Sequence, residues 1–537
     1  MKKYNQFLLF SVPILCILGL VLSLKRSYFA DEGWYLLTLS RMMSGDTLYR
    51  DIFSHVTPLG HYIGLIFTYV FGIEIWSLRI ATLLIFIGTV LLIFRIFQKL
   101  SLGIPYQVSA AIIIMMYDPP GLDGSGTLYT PLGKLFYLFC FDLALLWLLY
   151  LKERTGRQDK GLYAVAVLAG LSAGLAFVSK QNMGIYAITA LFLCIMSKRP
   201  FYLNIKRHIP HLLTIGISFV SILVVFLAPT YFDDAIFDFI DFTILAPRLY
   251  IEYAAISYWY QIKVLAYYIR QTITVADPAV FFYNLRNIFT YTMFLLPPVT
   301  CILLIGSIFL SKQETRKTAF FILFFGLFGF MGAYPRFDLS HVGSTVPVLT
   351  IALLYACHRI YQNLPVRWER YKIKLSRLAR ASVVMWTLIW ILMVSYDFHT
   401  YITGPYRIST IPHFRGLIVS DVWHEEVKTG AGNLTKFVSD SQVFILHQHA
   451  PLYYLATGME NILPFDSWTK ATFGLNGQQR IIDTINRGQI QVVYLEFLEG
   501  HTPLAAEQLE HFIRDNMVED KTWEGSGHIY RTGTDEP

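Results

Sequence analysis

The sequence predicts an α-helical polytopic membrane protein with about eleven transmembrane helices and a small C-terminal α/β domain. Three observations carry that prediction. Hydrophobic residues make up 55% of the 537 residues and charged residues only 15%, against about 25% charged in an average soluble protein. Many apolar runs approach the roughly 20 residues that cross a bilayer. Arg and Lys cluster in alternate loops between those runs, so the net charge of +7 marks orientation in a membrane and does not point to nucleic acid.

Taken in order, the first span is expected at 7–24. Met1-Lys2-Lys3 and the apolar run behind it look like a secretion signal, but no small-x-small cleavage site follows, so an uncleaved span is expected. Further spans are expected at 76–94, 105–117, 132–150, 161–179, 183–197, 209–229, 290–310, 318–334, 341–357 and 381–396. Cys16, Cys140, Cys194, Cys301 and Cys357 all fall in or beside these runs, which implies no disulfide framework.

The loops divide by charge. Arg95, Lys99, Lys152, Arg154, Arg157, Lys160, Lys198, Arg199, Lys206, Arg207, Lys312, Arg316, Lys317 and a run from Arg359 to Arg380 belong to one side, expected to be cytoplasmic. The other side carries the first outer loop (25–75), Asp118 to Thr130, Lys180, the long loop 230–289 and Arg336 to His341. Within the first outer loop, Gly33 to Met43 has helical character and Ser44-Gly45-Asp46 stops it. His61 to Gly72 is apolar but short, as in a helix lying along the interface. Loop 230–289 places Asp234, Asp238 and Asp241 at helical spacing and carries Tyr258-Trp259-Tyr260 and Tyr267-Tyr268; it is a candidate lid.

The transmembrane part is thus 1–396. Beyond it, 397–537 differs in kind. Gln442 to Leu446 and Gln491 to Leu495 have the composition of buried strands, with helices at Arg480 to Arg487 and Ala505 to Asn516. With about eleven spans this part lies outside the cell.

Polar groups that anchoring does not need collect on the outer side. Asp31 and Glu32 stand side by side just after the first span. One role for Asp31 is to cap the helix near Gly33. The other is a general base, since a partly desolvated carboxylate has a raised pKa suited to taking a proton. Asp51 and His55 follow; a lone loop histidine is more often incidental. Lys180, between two spans, is either a snorkelling lysine or a cation facing a substrate. Arg336, Asp338 and His341 stand as Arg-x-Asp-x-x-His, either a structural pair or an anion site in which Arg binds phosphate in bidentate fashion. Asp118 and Asp123 sit among glycines, where a turn is favoured over contact with an acceptor or a divalent cation. No metal-ligand cluster has convincing spacing, and His447 with His449 at a strand end do not make one.

The order Asp31-Glu32-Gly33-x-Tyr35, Ser44-Gly45-Asp46, Tyr49-x-Asp51, Thr57-Pro58-Leu59-Gly60-His61-Tyr62, Phe71-Gly72 and Leu78-Arg79 resembles the first outer loop of the GT-C glycosyltransferases. It is most similar to the branch of protein O-mannosyltransferases and the lipid A aminoarabinose transferase. About 100 N-terminal residues carry the likeness in detail. It implies a membrane enzyme that moves a sugar, with inversion, from a polyprenyl-phosphate carrier to a lipid, glycan or protein acceptor at the outer face of the inner (plasma) membrane. It also implies Asp31 as the base, with Glu32 beside it. A cofactor is not expected, with a divalent cation as the one optional addition. Leaving-group charge calls for cations, with Lys180 and Arg336 as candidates and Asp51, His55, Asp338 and His341 as further substrate contacts. Val56-Thr57-Pro58 replaces the acidic-Lys-Pro of the lipid A enzyme, which counts against an aminoarabinose substrate.

Two rivals remain. A transporter or flippase of lipid-linked sugars is favoured by intramembrane charge pairs and inverted repeats; the sequence shows no repeat, and its ionisable residues concentrate in loops. A glycan polymerase or ligase is favoured by an arginine-rich outer loop, but loop 230–289 holds only Arg248, Arg270 and Arg286.

Overall fold

The computed structural model describes residues 21, 24–25, 30–119, 127–153, 160–196, 205–364, 369–438, 442–447, 449–466, 472–495, 506–523 and 527–533. The span expected at 7–24 falls outside them except for Val21 and Leu24, as do Asp123, Arg154, Arg157, Lys198 and Arg199.

Helix α1 (Ala30–Met43) carries the two acidic residues in its first turn. It ends where expected, at Ser44-Gly45, with Gly45 in a left-handed conformation at φ 109°. Helix α2 (Leu59–Phe71) is the expected short apolar helix; Ile66, Tyr69, Val70 and Phe71 are exposed at its end. The bundle follows with α3 (Ile75–Lys99), α4 (Ile104–Tyr117), α5 (Tyr129–Glu153), α6 (Lys160–Ser179), α7 (Gln181–Met196) and α8 (Ile205–Phe232). Among the described residues, five helical segments are long and apolar enough to cross a membrane: Ile75–Lys99, Tyr129–Leu149, Lys160–Ser179, Ile209–Phe232 and Pro278–Leu310. The protein is therefore a multi-pass membrane protein, but length and apolarity do not by themselves yield eleven spans. The segment expected at 105–117 is a helix of 14 residues, about 21 Å long.

Helix α6 packs between α5 and α8. Small residues make this close approach: Ala166, Ala169, Gly170, Ser172, Ala173 and Gly174 are buried on α6. A Cβ on Gly170 would stand 2.4 Å from the Ile215 carbonyl oxygen, a backbone atom that cannot step aside. Gly170→Val is expected to destabilise the bundle by about 1–3 kcal/mol, read as a lower melting temperature in detergent, with the secondary structure retained.

The loop expected at 230–289 is shorter and more ordered. It holds α9 (Ile236–Ile240), a π-helical turn (Asp241–Leu245), α10 (Pro247–Ala254) and α11 (Tyr258–Thr274). The expected aspartate face does not form: Asp234 is left-handed at φ 55°, and Asp238 pairs with Arg480 at 3.2 Å. The next span starts at Pro278 instead of 290, because Asp277 caps α12 (Pro278–Tyr291) by accepting from the Ala279 N–H at 2.8 Å. A 3₁₀ turn (Thr292–Leu295) leads straight into α13 (Leu296–Leu310). Then come α14 (Gln313–Met331), α15 (Leu339–Gly343), α16 (Val346–Asn363) and the 35-residue α17 (Glu369–Thr403).

The expectation that ionisable groups avoid the spans is corrected. Asp142 is fully buried on α5, paired with Lys99 at 2.7 Å and with Arg95 at 3.2 Å, both on α3. It lies 13 residues into α5, roughly 20 Å from its start, beside the last turn of α3.

After α17 come β1 (Tyr406–Ile408), β2 (Ile418–Ser420), α18 (Asp421–Phe437), β3 (Val443–Leu446), α19 (Ala450–Thr457), α20 (Gly477–Asn486), β4 (Val492–Leu495), α21 (Glu507–Asn516), β5 (Val518–Glu519) and β6 (His528–Arg531). β1 and β2 form a two-stranded antiparallel ribbon. The main sheet has the order β3-β4-β6-β5, with β3 and β4 parallel and the rest antiparallel. The expected strands and helices are present. They do not enclose a core of their own: Tyr35 and Leu36 of α1 share one apolar cluster with Phe414, Val443 and Tyr453, and Tyr49 and Phe53 share another with Phe444 and Phe465. Arg41 clasps the two parts. It bonds Asp46 at 2.7 Å, the Leu463 carbonyl at 2.8 Å, Asp466 at 3.2 Å and the Asp51 carbonyl at 2.7 Å.

Candidate active site

The helices alternate in direction, and one set of ends converges. The N-terminal half of α3, the end of α4, the start of α5, Lys180 between α6 and α7, and the turn before α16 all reach one cavity of about 80 Å³. That is the liquid volume of two to three waters, room for a phosphate-sized group. Its lining includes Asp31, Asp118, Tyr129, Thr130, Lys134, Lys180, Ser340 and His341. The opposite helix ends carry Lys99, Lys160, Lys312 and Lys317.

Asp31 lies inside the first turn of α1 instead of capping a helix at Gly33. Its carboxylate is exposed to the cavity, yet the protein surrounds it. Burial away from bulk water pushes its pKa up; Arg336 and His341 pull it back, and Glu32 and Asp338 add to the rise, with a net increase over 3.8.

Lys180 donates to Thr130 Oγ1 at 3.2 Å and sits 5.7 Å from the centre of the Tyr129 ring. Burial lowers its pKa to about 8, a fall that Lys134 deepens and Asp338 opposes. Arg336 pairs with Asp338 Oδ2 at 2.5 Å. Asp338 caps α15: Oδ1 accepts from the His341 N–H at 2.9 Å, from Ser340 Oγ at 2.9 Å, and faces His341 Nδ1 at 2.7 Å. Burial acts to raise the Asp338 carboxyl, but the His341 bonds and the Arg336 charge outweigh it and hold it well below its ordinary value. Asp338 is therefore an organiser that stays ionised and aims Arg336 and His341. The Phe337 N–H donates to the Ile256 carbonyl at 3.1 Å, which ties this turn to the segment before α11.

His55 stacks on Trp34 at 5.3 Å and meets Tyr129 edge-on at 6.2 Å. Burial, with Lys180 and His341 nearby, lowers its pKa to about 4, so it is neutral at pH 7. It packs against Tyr129 and does not itself line the cavity.

Two expected site residues are elsewhere. Glu32, paired in the sequence with Asp31, bonds Arg79 Nε at 3.0 Å and Nη2 at 2.7 Å, and both side chains are 1% exposed. Adjacent helix residues project about 100° apart, so one carboxylate faces the cavity and the other faces α3. Glu32→Gln is expected to cost about 3–5 kcal/mol because it strands a buried guanidinium. Thermal unfolding of Glu32→Gln against a Glu32→Leu/Arg79→Met double variant checks this: the double variant should recover most of the loss. Asp51 accepts from Arg50 at 2.9 Å and from the Thr47 N–H at 2.8 Å. Those bonds, chiefly from Arg50, lower its pKa. It lines a separate open cleft of about 930 Å³ with Arg480 and Arg487.

Lys134 was missed in the sequence. It donates to Asp118 across the cavity, and the two side chains are 11% and 16% exposed. Its signal was a lone charge two residues into the expected span 132–150. Asp118, weighed as a turn residue, follows α4 and is held by that lysine. Among the described residues no three His, Cys, Asp or Glu side chains are grouped to hold a metal ion.

Residues 55–227 match the family model of dolichyl-phosphate-mannose-protein mannosyltransferase. The whole chain superposes on ArnT from Cupriavidus metallidurans bound to undecaprenyl phosphate, with a TM-score of 0.53, 11% identity and 100% of both chains covered. The apo state of that protein gives 0.54 at the same identity and coverage. These superpositions show that the chain has the GT-C fold. A third GT-C likeness is to the Archaeoglobus fulgidus oligosaccharyltransferase complex with Zn and sulfate: TM-score 0.51, 11% identity, 98% of this chain and 73% of that one covered. At such identities the likeness to these solved structures is one of fold. No curated protein matches the sequence. The mannosyltransferase family model is similar to this chain from His55 onward, a match that begins inside the first outer loop.

Proposed function

We propose that the chain is an integral membrane glycosyltransferase that moves a sugar from a polyprenyl-phosphate carrier to an acceptor hydroxyl at the outer face of the membrane. The observation that carries this reading is one cavity that brings a carboxylate with a raised pKa, Asp31, together with Lys180 and His341, with Arg336 close enough to pull on Asp31. The mannosyltransferase match and the ArnT fold, with undecaprenyl phosphate bound to ArnT, support a lipid-phosphate donor. The basic loops at the far ends of the helices support an outward-facing cavity.

The step balances as follows. Asp31 takes the proton of the acceptor hydroxyl. The freed oxygen attacks the anomeric carbon from the face opposite the phosphate, so configuration inverts. The bond from that carbon to the phosphate oxygen breaks, and its electron pair leaves with the polyprenyl phosphate. Lys180 and Arg336 meet the charge that gathers there. The scheme calls on no cofactor; adding or chelating a divalent cation in the assay tests the one optional addition.

The test is transfer from membranes charged with radiolabelled polyprenyl-phosphate sugars into lipid, glycan and protein fractions. Label in any acceptor fraction supports the reading and names the acceptor class. Carrier that crosses the bilayer with no transfer overturns it in favour of a flippase.

A further inference from the structure

Lys134 and Lys180 line one small cavity, and of the two it is Lys134 that is hydrogen-bonded to a carboxylate there. Lys134 is held by Asp118, whereas the hydrogen bond of Lys180 goes to the neutral Thr130. The two ammonium groups are near enough for Lys134 to depress the affinity of Lys180 for its proton. Asp31 and His341 also line the cavity, and the Asp338 carboxylate acts on Lys180 from beside it. Like charges in such a space repel unless an anion comes between them.

The proposed reaction supplies that anion, and in two charge states. The sugar-bearing donor is a phosphodiester with one negative charge. The leaving polyprenyl phosphate is a monoester, which carries roughly −1.5 to −2 at pH 7. One cation suits the first; the second calls for another.

Resting on the glycosyltransferase reading above, we infer that Lys134 is a second phosphate-binding cation, held by Asp118 while the cavity is empty and turned to the phosphate as the monoester forms. Asp118 is then a parking partner that keeps a buried ammonium satisfied between turnovers. The chemistry it selects is a lipid monophosphate over the corresponding diester.

The experiment uses the full chain in nanodiscs and two probes, farnesyl phosphate and its methyl diester, with affinities measured by calorimetry at pH 7.5. Wild type is expected to bind the monoester more tightly. Lys134→Met is expected to weaken the monoester about tenfold or more, the worth of one charge-assisted hydrogen bond, and to change the diester little; Lys134→Arg restores most of the loss. Asp118→Asn is expected to tighten the monoester severalfold by releasing the lysine, and the double variant should bind as Lys134→Met does. A purely structural pair gives the opposite sign: Asp118→Asn then weakens both probes alike, alongside a lower melting temperature, and the inference falls. If wild type binds neither probe, the lipid-phosphate reading of the cavity falls with it.

Discussion

Asp31→Asn is expected to reduce sugar transfer by about 10²–10⁴-fold, the usual worth of a positioned general base, while binding of the lipid-phosphate donor is kept. The substitution preserves shape and the polar group in the first turn of α1, so the fold has little to lose. The acid side of the wild-type pH profile makes the same point. The base works only when deprotonated. Burial, working against Arg336 and His341, sets its pKa above 3.8. Activity should therefore fall as the pH drops through a value higher than that of an ordinary aspartate. Arg336→Met, which removes one of the lowering charges, should move that limb to still higher pH. Normal transfer by Asp31→Asn would reduce the residue to a dipole partner of its helix.

Lys180→Met is expected to reduce kcat/KM by about 10²–10³-fold, comparable to removal of one donor from a developing oxyanion. Its alkaline signature is separate. Burial lowers the ammonium to about 8, and the phosphate needs the charged form. The value of kcat/KM should thus decline as the pH rises through about 8. A bound phosphate raises the pKa, so the same limb in kcat should lie higher. Lys180→Arg should keep much of the activity and remove the alkaline limb, because a guanidinium does not titrate in this range. A limb that survives the Arg substitution would belong to another group.

Much of this architecture is legible in the chain because a bilayer imposes length and apolarity. The runs at 161–179, 183–197 and 209–229 emerge as α6, α7 and α8 with ends moved by a few residues. Where mixed composition blurs a run, the reading slips: Phe281-Phe282-Tyr283-Asn284 belongs to a helix that Asp277 starts, twelve residues before the expected span. Window averages also dissolve single charges, so Lys134 and Asp142 vanished into an apolar stretch. Their partners, Asp118 and Lys99, are supplied by other helices. In the site, Asp31, Lys180 and His341 were legible because each breaks the pattern of its surroundings. Glu32 was not separable from Asp31 by adjacency alone, since its partner Arg79 is 47 positions away.

The clasp at Arg41 sets the unit in which such a protein can be rebuilt. The helix that presents Asp31 shares its core with the C-terminal sheet region, and the Ile75 N–H donates to the His413 carbonyl at 2.9 Å while Trp76 donates to the Arg415 carbonyl at 2.7 Å. A chimera cut at the end of α17 would exchange half of that core and leave the other half mismatched. The transplantable cassette is discontinuous: residues 30–76 travel with 404–533, and the membrane helices form the frame that receives both.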